Sequence, residues 1–310
     1  GTSRRASSWL YSTPSGWHTG PRRGARLAAT ARPPHSGRMT RVLGILNLTP
    51  DSFSDGGRFL DDPEAAAASA VAMAAAGAAL IDIGGESTRP GAADVWEGDE
   101  ITRVVPVIER LARGGVAVSI DTRKAAVMEA ALASGAAMVN DVSALLYDDR
   151  ALGVVAGAEC PVVIMHYPGP PRQMHARDSY ADPLIEIYDW LEDRIEALVE
   201  RGIARERIVI DPGIGFGKSV QANLALLNGL ALFQGLGCAI LLGASRKRLI
   251  GALSNEAPAA ERLGGSIALA IAGAERGAQL LRVHDVPETV QALRVWRGMR
   301  DAGLSAAPTG

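Results

Sequence analysis

From Arg41 onward the chain repeats one unit: a short apolar run, a polar or glycine-rich turn, then a helix-like segment. The apolar runs are Val42–Leu46, Ala79–Ile83, Val116–Ile120, Met138–Val139, Val162–Met165, Ile208–Ile210, Ala239–Leu242 and Gln279–Val283, eight in all. The helix-like segments are Pro63–Ala76, Asp99–Arg113, Arg123–Ala133, Asp148–Ala156, Asp182–Arg201, Gln221–Leu230, Ala259–Glu275 and Pro287–Met299. Pro63 suits a helix start. Gly77, Gly114, Gly135, Gly157, Gly202 and Gly277 fall just past the expected helix ends. Such alternation implies a parallel sheet with right-handed crossovers. Eight units over about 250 residues is the size of a TIM (β/α)8 barrel. The expected fold class is therefore α/β, a single TIM barrel. A doubly wound open sheet is the alternative, but it needs a topological switch point that the sequence does not reveal.

Charge divides the chain. Residues 1–38 carry seven arginines and no acid, so removing them from a chain of net charge −2 leaves −9 for the body from Met39. An acidic body argues against general nucleic-acid binding. The basic start reads as a disordered extension or an over-extended beginning, with Pro33-Pro34 and Gly37 marking the break; a transit peptide is the other reading. The domains expected are thus 1–38, an extension, and 39–310, the barrel. The longest weakly polar stretch, Ala65 to Ile81, is mostly alanine and reads as a packed helix rather than a membrane span. Cys160 and Cys238 lack metal-ligand spacing and read as reduced, buried thiols of a cytoplasmic enzyme.

In a barrel of this kind the functional groups sit at the carboxyl ends of the strands, and those ends are polar here. They carry Asn47, Glu86 to Gly91, Asp121, Asn140-Asp141, Met165-His166, Asp211, Ser245 to Arg248, and Arg282 with His284. Asp121 and Asp141 could each be helix caps, but eight polar strand ends are harder to account for that way. The stretch Arg207 to Lys218 stands out: a β-branched strand, then Asp211, Pro212 and glycines at 213, 215 and 217. Gly217-Lys218-Ser219 ends like a phosphate-binding P-loop, but the first glycine that motif requires falls at Pro212, so the match fails. Asp211 reads instead as a polar anchor on the rim of a ligand site.

These segments carry a resemblance to a known family. Gly44 to Gly57, read GILNLTPDSFSDGG, resembles the first signature of dihydropteroate synthase, and Asp82 to Gly91, read DIGGESTRPG, its second. Asp211 to Lys218, Ser245-Arg246-Lys247 and Arg282 to Asp285 are similar to the later ones, in the same order. The match runs from about Arg41 to Trp296. The resemblance implies a TIM barrel that condenses 6-hydroxymethyl-7,8-dihydropterin pyrophosphate with p-aminobenzoate, giving 7,8-dihydropteroate and pyrophosphate in folate biosynthesis. Sulfonamides compete with p-aminobenzoate in that family.

By this resemblance Asp121, Asn140, Met165, Asp211 and Lys247 line the pterin slot, where a carboxylate can accept two parallel N–H bonds from the flat pterin edge. Phe53, Thr88, Arg89, Pro90, Phe216 and Lys247 would meet p-aminobenzoate. Asn47, Arg282 and His284 would hold the pyrophosphate, with Asn47 helping to bind Mg²⁺ as the cofactor. Asp121, Asp211, Lys247, Arg282 and His284 are the expected catalytic set. Arg282 and His284, two apart, are expected on one face of strand eight. The family implies a homodimer through the late helices, with small-molecule substrates and no nucleic-acid or membrane partner. His166 to Pro170, Ile214 and Ala222 depart from the usual family sequence without removing a matched position. A pterin-dependent methyltransferase would keep the Asp/Asn slot but not need residues 51–57, Thr88-Arg89-Pro90 or the Arg282/His284 pair. A catalytically silent pterin-binding paralogue is the rival from another class.

Overall fold

The computed structural model describes residues 39–49, 62–87, 94–167 and 180–305. The expected extension at residues 1–38 lies outside them, as do Phe53, Thr88, Arg89 and Pro90. Eight parallel strands form a closed barrel in sequence order: β1 (Arg41–Asn47), β2 (Leu80–Gly84), β3 (Val118–Asp121), β4 (Met138–Asp141), β5 (Val162–Met165), β6 (Ile208–Asp211), β7 (Ala239–Leu242) and β8 (Leu280–Val283). β1 pairs with β2 on one side and with β8 on the other, which removes the open edges a sheet would otherwise expose. Around it lie α1 (Pro63–Ala76), α2 (Glu97–Arg113), α3 (Ala125–Ala133), α4 (Ala151–Ala158), α5 (Pro183–Glu200), α6 (Val220–Asn228), α7 (Arg248–Leu253), α8 (Leu263–Glu275) and α9 (Val286–Ser305). No described helix is long and apolar enough to cross a membrane.

The core has two parts, because side chains alternate across a strand. The larger apolar cluster lies between strands and helices and includes Ile81, Ile83, Val139, Ile164, Ile210 and Ile240. The smaller joins Leu43, Leu80, Met138, Val163, Val209, Ala239, Leu241 and Leu280, the inward positions of seven strands. This second cluster fills the barrel, as side-chain layers do in this fold. One pleat further along, the inward positions change character: Leu80 is followed by Asp82, Met138 by Asn140, Val209 by Asp211, and Leu280 by Arg282. An apolar floor thus supports a polar mouth.

Local chemistry sets the helix ends. Asp182 caps α5 by accepting from the N–H groups of Leu184 and Ile185 at 3.0 and 3.3 Å. Ser219 caps α6. Gly77 ends α1 in the left-handed region. Several boundaries differ from the sequence expectation. α3 starts at Ala125 rather than Arg123, because Arg123 and Lys124 turn to carboxylates elsewhere. Gly157 lies inside α4, and Glu159 takes the left-handed turn after it. The expected helix from Ala259 is a short 3-10 turn followed by α8, broken where the Arg262 side chain turns to the carbonyls of Ala257 and Arg246. α7 is an addition to the expected elements, its six residues being too few to show a period. Cys160 and Cys238 are free and buried, as expected.

Leu241 is fully buried inside the barrel. Leu241→Ala is expected to lower the unfolding free energy by about 2–5 kcal/mol, seen as a lower urea midpoint at unchanged slope.

Candidate active site

The site is built at the carboxyl end of the barrel from inward-facing residues of separate strands. Arg282 on β8 is its hub. Its Nε donates to Asp82 Oδ2 at 2.5 Å, and its Nη2 donates to Asp121 Oδ2 at 2.6 Å. Asn140 Nδ2 donates to the same Asp82 oxygen at 3.0 Å. One guanidinium and one amide therefore tie β2, β3, β4 and β8 together. Asp82 Oδ1 and Asp121 Oδ1 are buried and have no hydrogen-bond partner. A buried carboxylate oxygen without a donor is costly to leave so, and its natural complement is a ligand N–H. Asp121 does not cap a helix; Asp141 is the residue that organises a turn, accepting from Ser143 N, Ser143 Oγ and Leu145 N.

Burial raises the pKa of Asp121; the nearby Arg282 opposes that rise, and the carboxylate of Asp82 adds to it. Burial likewise raises Asp211, with Lys247 pulling back. Burial alone would weaken the hold of Arg282 on its proton, but Asp82 and Asp121 outweigh it and the net shift is upward. The mouth is thus a balanced set of buried charges rather than a single-signed cleft.

Glycines keep the mouth clear. A Cβ at Gly84 would lie 3.7 Å from both Asn47 Oδ1 and Asp121 Cβ, and one at Gly243 would lie 3.7 Å from Asp211 Oδ2 and 3.9 Å from Arg282 Cβ. The segment after β6 needs glycine for its backbone. Gly213 has φ +74°, and a Cβ there would collide with the His166 carbonyl oxygen. Gly213 N donates to Asp211 Oδ1 at 2.7 Å, and Gly215 N donates to Asn223 Oδ1 at 2.7 Å. Lys218, the residue that suggested a P-loop, donates to the carbonyls of Gly213 at 2.9 Å and Phe216 at 3.2 Å. Its work is to hold the loop.

Lys247 donates to the Ile214 carbonyl, and its ammonium lies 4.1 Å from the Phe216 ring centroid. Burial brings its pKa down to about 8, with Asp211 opposing. Met165 is buried beside Asp211, its register partner on β6. His284 lies one residue beyond the end of β8, and its Nδ1 is 3.0 Å from Ser245 Oγ. The spacing expectation put Arg282 and His284 together on strand eight; Arg282 is on the strand, held by carboxylates, and His284 belongs to the turn after it. Asn47 offers one neutral oxygen at the end of β1. Among the described residues no group of three His, Cys, Asp or Glu is arranged to hold a metal ion. The Asn47 oxygen suits a hard ion that takes most of its oxygens from phosphate and water.

A profile of the pterin-binding enzymes matches residues 43–284. The chain is 45% identical over 264 residues to dihydropteroate synthase of Neisseria meningitidis serogroup B, covering 84% of this chain and 92% of that one. The chain belongs to the dihydropteroate synthase family. Among solved members of the family, the Yersinia pestis enzyme in complex with a sulfonamide drug superposes with a TM-score of 0.81 at 44% identity, covering 85% of this chain and 95% of that one. The Xanthomonas albilineans enzyme with 4-aminobenzoic acid gives 0.79 at 48%, covering 87% and 94%. The TIM barrel expected of dihydropteroate synthases is the fold observed.

Asp82 joins the site although it is not among the residues expected there, and it stands inside the second dihydropteroate synthase signature. Its signal is present: a lone carboxylate between Ile81 and Ile83 on a strand, on the face shared with Leu80. A charge at a barrel-interior position needs a partner.

Lys247 gives a pH test of the site. Its pKa is depressed in the folded chain, so between pH about 8 and the ordinary 10.5 the unfolded chain keeps the proton that the folded chain has lost. Its contribution to stability rises with pH across that window. The stability of the wild-type chain relative to Lys247→Met should shift in favour of wild type from pH 8 to 10.5, in paired urea titrations.

Proposed function

We infer that this chain catalyses the dihydropteroate synthase reaction: transfer of the dihydropterin-methyl group from its pyrophosphate ester to the amine of p-aminobenzoate, releasing pyrophosphate. It is a transferase step of folate biosynthesis, and sulfonamides compete for the aminobenzoate position. The observation that carries the assignment of residues is the unpartnered oxygen of Asp121 beside Arg282, at the mouth shared by Asp82, Asn140 and Asp211.

In this reading Asp121, Asn140 and Asp211 accept from and donate to the flat edge of the pterin, and Met165 packs against its face. Arg282 has Nε and Nη2 on carboxylates, which leaves Nη1 for a phosphate oxygen. His284, steadied by Ser245, adds a second donor to the departing pyrophosphate. Asn47 helps hold Mg²⁺, which when bound lowers the charge on the diphosphate. Lys247 and Phe216 face the aminobenzoate, with Phe53, Thr88, Arg89 and Pro90 completing that half. The amine attacks the methylene carbon as the C–O bond breaks and pyrophosphate leaves, the pterin ring spreads the positive charge, and the new secondary amine gives up its extra proton to solvent. No covalent enzyme intermediate is required, and proximity of the bound amine supplies much of the rate.

The reading extends to a homodimer. α8 and α9 flank an apolar groove lined by Leu263, Ile267, Val295 and Met299. Three of these, Leu263, Val295 and Met299, are exposed although large and apolar, and such patches mark interaction surfaces. A second copy of the chain covers it. The compartment is the cytoplasm, in keeping with two free cysteines.

Three experiments test this. The purified full chain, given Mg²⁺, the dihydropterin pyrophosphate and p-aminobenzoate, should form dihydropteroate and pyrophosphate in equal amounts. Arg282→Ala should lose about 2–5 kcal/mol of transition-state stabilisation in kcat/KM for the pyrophosphate substrate; unchanged kinetics would remove Arg282 from the anion role. Val295→Glu should convert dimers to monomers in sedimentation equilibrium, whereas a monomeric wild-type chain would refute the dimer.

A further inference from the structure

Arg123 and Lys124 follow Asp121 by two and three residues, where the sequence suggested the start of a helix. Neither is helical. Lys124 Nζ donates to Glu86 Oε1 at 2.8 Å, Glu100 Oε2 at 2.7 Å and the Val95 carbonyl at 2.7 Å, which uses all three of its donors. Arg123 donates from Nε to Glu86 Oε2 at 3.0 Å, and from Nη2 to Glu86 Oε1 at 3.3 Å and Asp94 Oδ1 at 2.8 Å. Its guanidinium lies 4.0 Å from the Tyr147 ring centroid. Glu86 Oε1 also accepts from Val95 N at 3.0 Å. The side chains of Arg123, Lys124, Glu86 and Glu100 are 8%, 8%, 4% and 0% exposed.

The connectivity gives this network a purpose. Glu86 lies just after β2, and Asp94 and Val95 lie just before α2. Two adjacent cations just past the end of β3 therefore grip both ends of the β2–α2 connection. A buried network of charges is a poor device for stability alone, since well-packed apolar residues of the same volume serve as well or better. It is a good device for fixing position, because Lys124 commits all three of its N–H groups and Arg123 its Nε and Nη2 to named acceptors, and a shift of any member strands a charge.

We propose that Arg123 and Lys124 are positioning residues for the second substrate: through Glu86, Asp94, Val95 and Glu100 they fix the ends of the β2–α2 connection relative to Asp121 and so govern use of p-aminobenzoate. This rests on the proposed function, which assigns Thr88, Arg89 and Pro90 within that connection to p-aminobenzoate. The pterin slot is built on Asp82, Asp121, Asn140 and Asp211, none of which hydrogen-bonds to either cation, so the two half-sites respond differently when the grip is loosened.

The test separates them. Binding of the dihydropterin pyrophosphate alone is measured by calorimetry, and KM for p-aminobenzoate by steady-state turnover, for wild type, Lys124→Met, Arg123→Lys and Asp94→Asn. Lys124→Met should raise KM for p-aminobenzoate by about ten- to a hundredfold, with pterin affinity within about twofold of wild type. Asp94→Asn releases only a half-exposed end of the connection and leaves the buried charges paired; it should raise the same KM by a smaller factor. Arg123→Lys keeps the charge, loses the fork to Glu86 and Asp94, and should fall between them. If Lys124→Met does not fold, the other two variants decide. Equal losses in pterin affinity and p-aminobenzoate use, or an unchanged KM in both Asp94→Asn and Arg123→Lys, would overturn the proposal. A wild-type chain that neither binds the pterin nor turns over would instead overturn the functional reading beneath it.

Discussion

Closure of the barrel by pairing of β1 with β8 is the constraint on which everything else depends. Arg41 is in register with Leu280, and Gly44 with Val283. Without that seam Arg282 could not face Asp82, which lies 200 residues earlier in the chain. Nor could it face Asp121, 161 residues away. Bringing such distant segments together costs loop entropy that local interactions cannot offset. The two apolar clusters, inside the barrel and outside it, supply the driving force.

The same closure decides which residues meet. In a closed parallel barrel the inward positions of neighbouring strands form layers, and the polar layer begins one pleat above the apolar floor. Burying several ionisable groups there is unfavourable for each one taken singly. The arrangement persists because the charges offset one another: Arg282 between Asp82 and Asp121, Lys247 near Asp211, and Lys124 between Glu86 and Glu100. At the mouth an oxygen each on Asp82 and Asp121 is left without a donor, and a ligand can use it. Stability and recognition are thus set by the same groups, and the glycines at 84 and 243 keep space beside them.

Particular residues show how far the sequence can be read. The strand ends Asp121, Asn140 and Asp211 are legible because packing alone gives a strand no reason to close its apolar run on polar side chains. The failure of the P-loop pattern at Pro212 is informative, since Lys218 instead holds loop carbonyls. Arg123 and Lys124 look helical in sequence, because helix propensity favours both and nothing local announces a carboxylate at Glu86 or Glu100. Spacing alone places His284 on strand eight, yet β8 ends at Val283 and Ser245 takes the imidazole. Asp82 shows as a lone carboxylate between Ile81 and Ile83, but its partner lies on a strand two hundred residues away.

The sequence by itself determined the eight-fold alternation, the parallel sheet, the polar strand ends and, through their joint pattern, the family. These are properties of short segments, fixed by side-chain period, turn chemistry and residue type. Only the tertiary structure decided that Arg282 joins Asp82 to Asp121, that Lys247 lies over Phe216, and that Arg123 and Lys124 grip the β2–α2 connection. Charge pairing depends on distance and burial together, and both are set when the barrel closes, not by the neighbours a residue has along the chain.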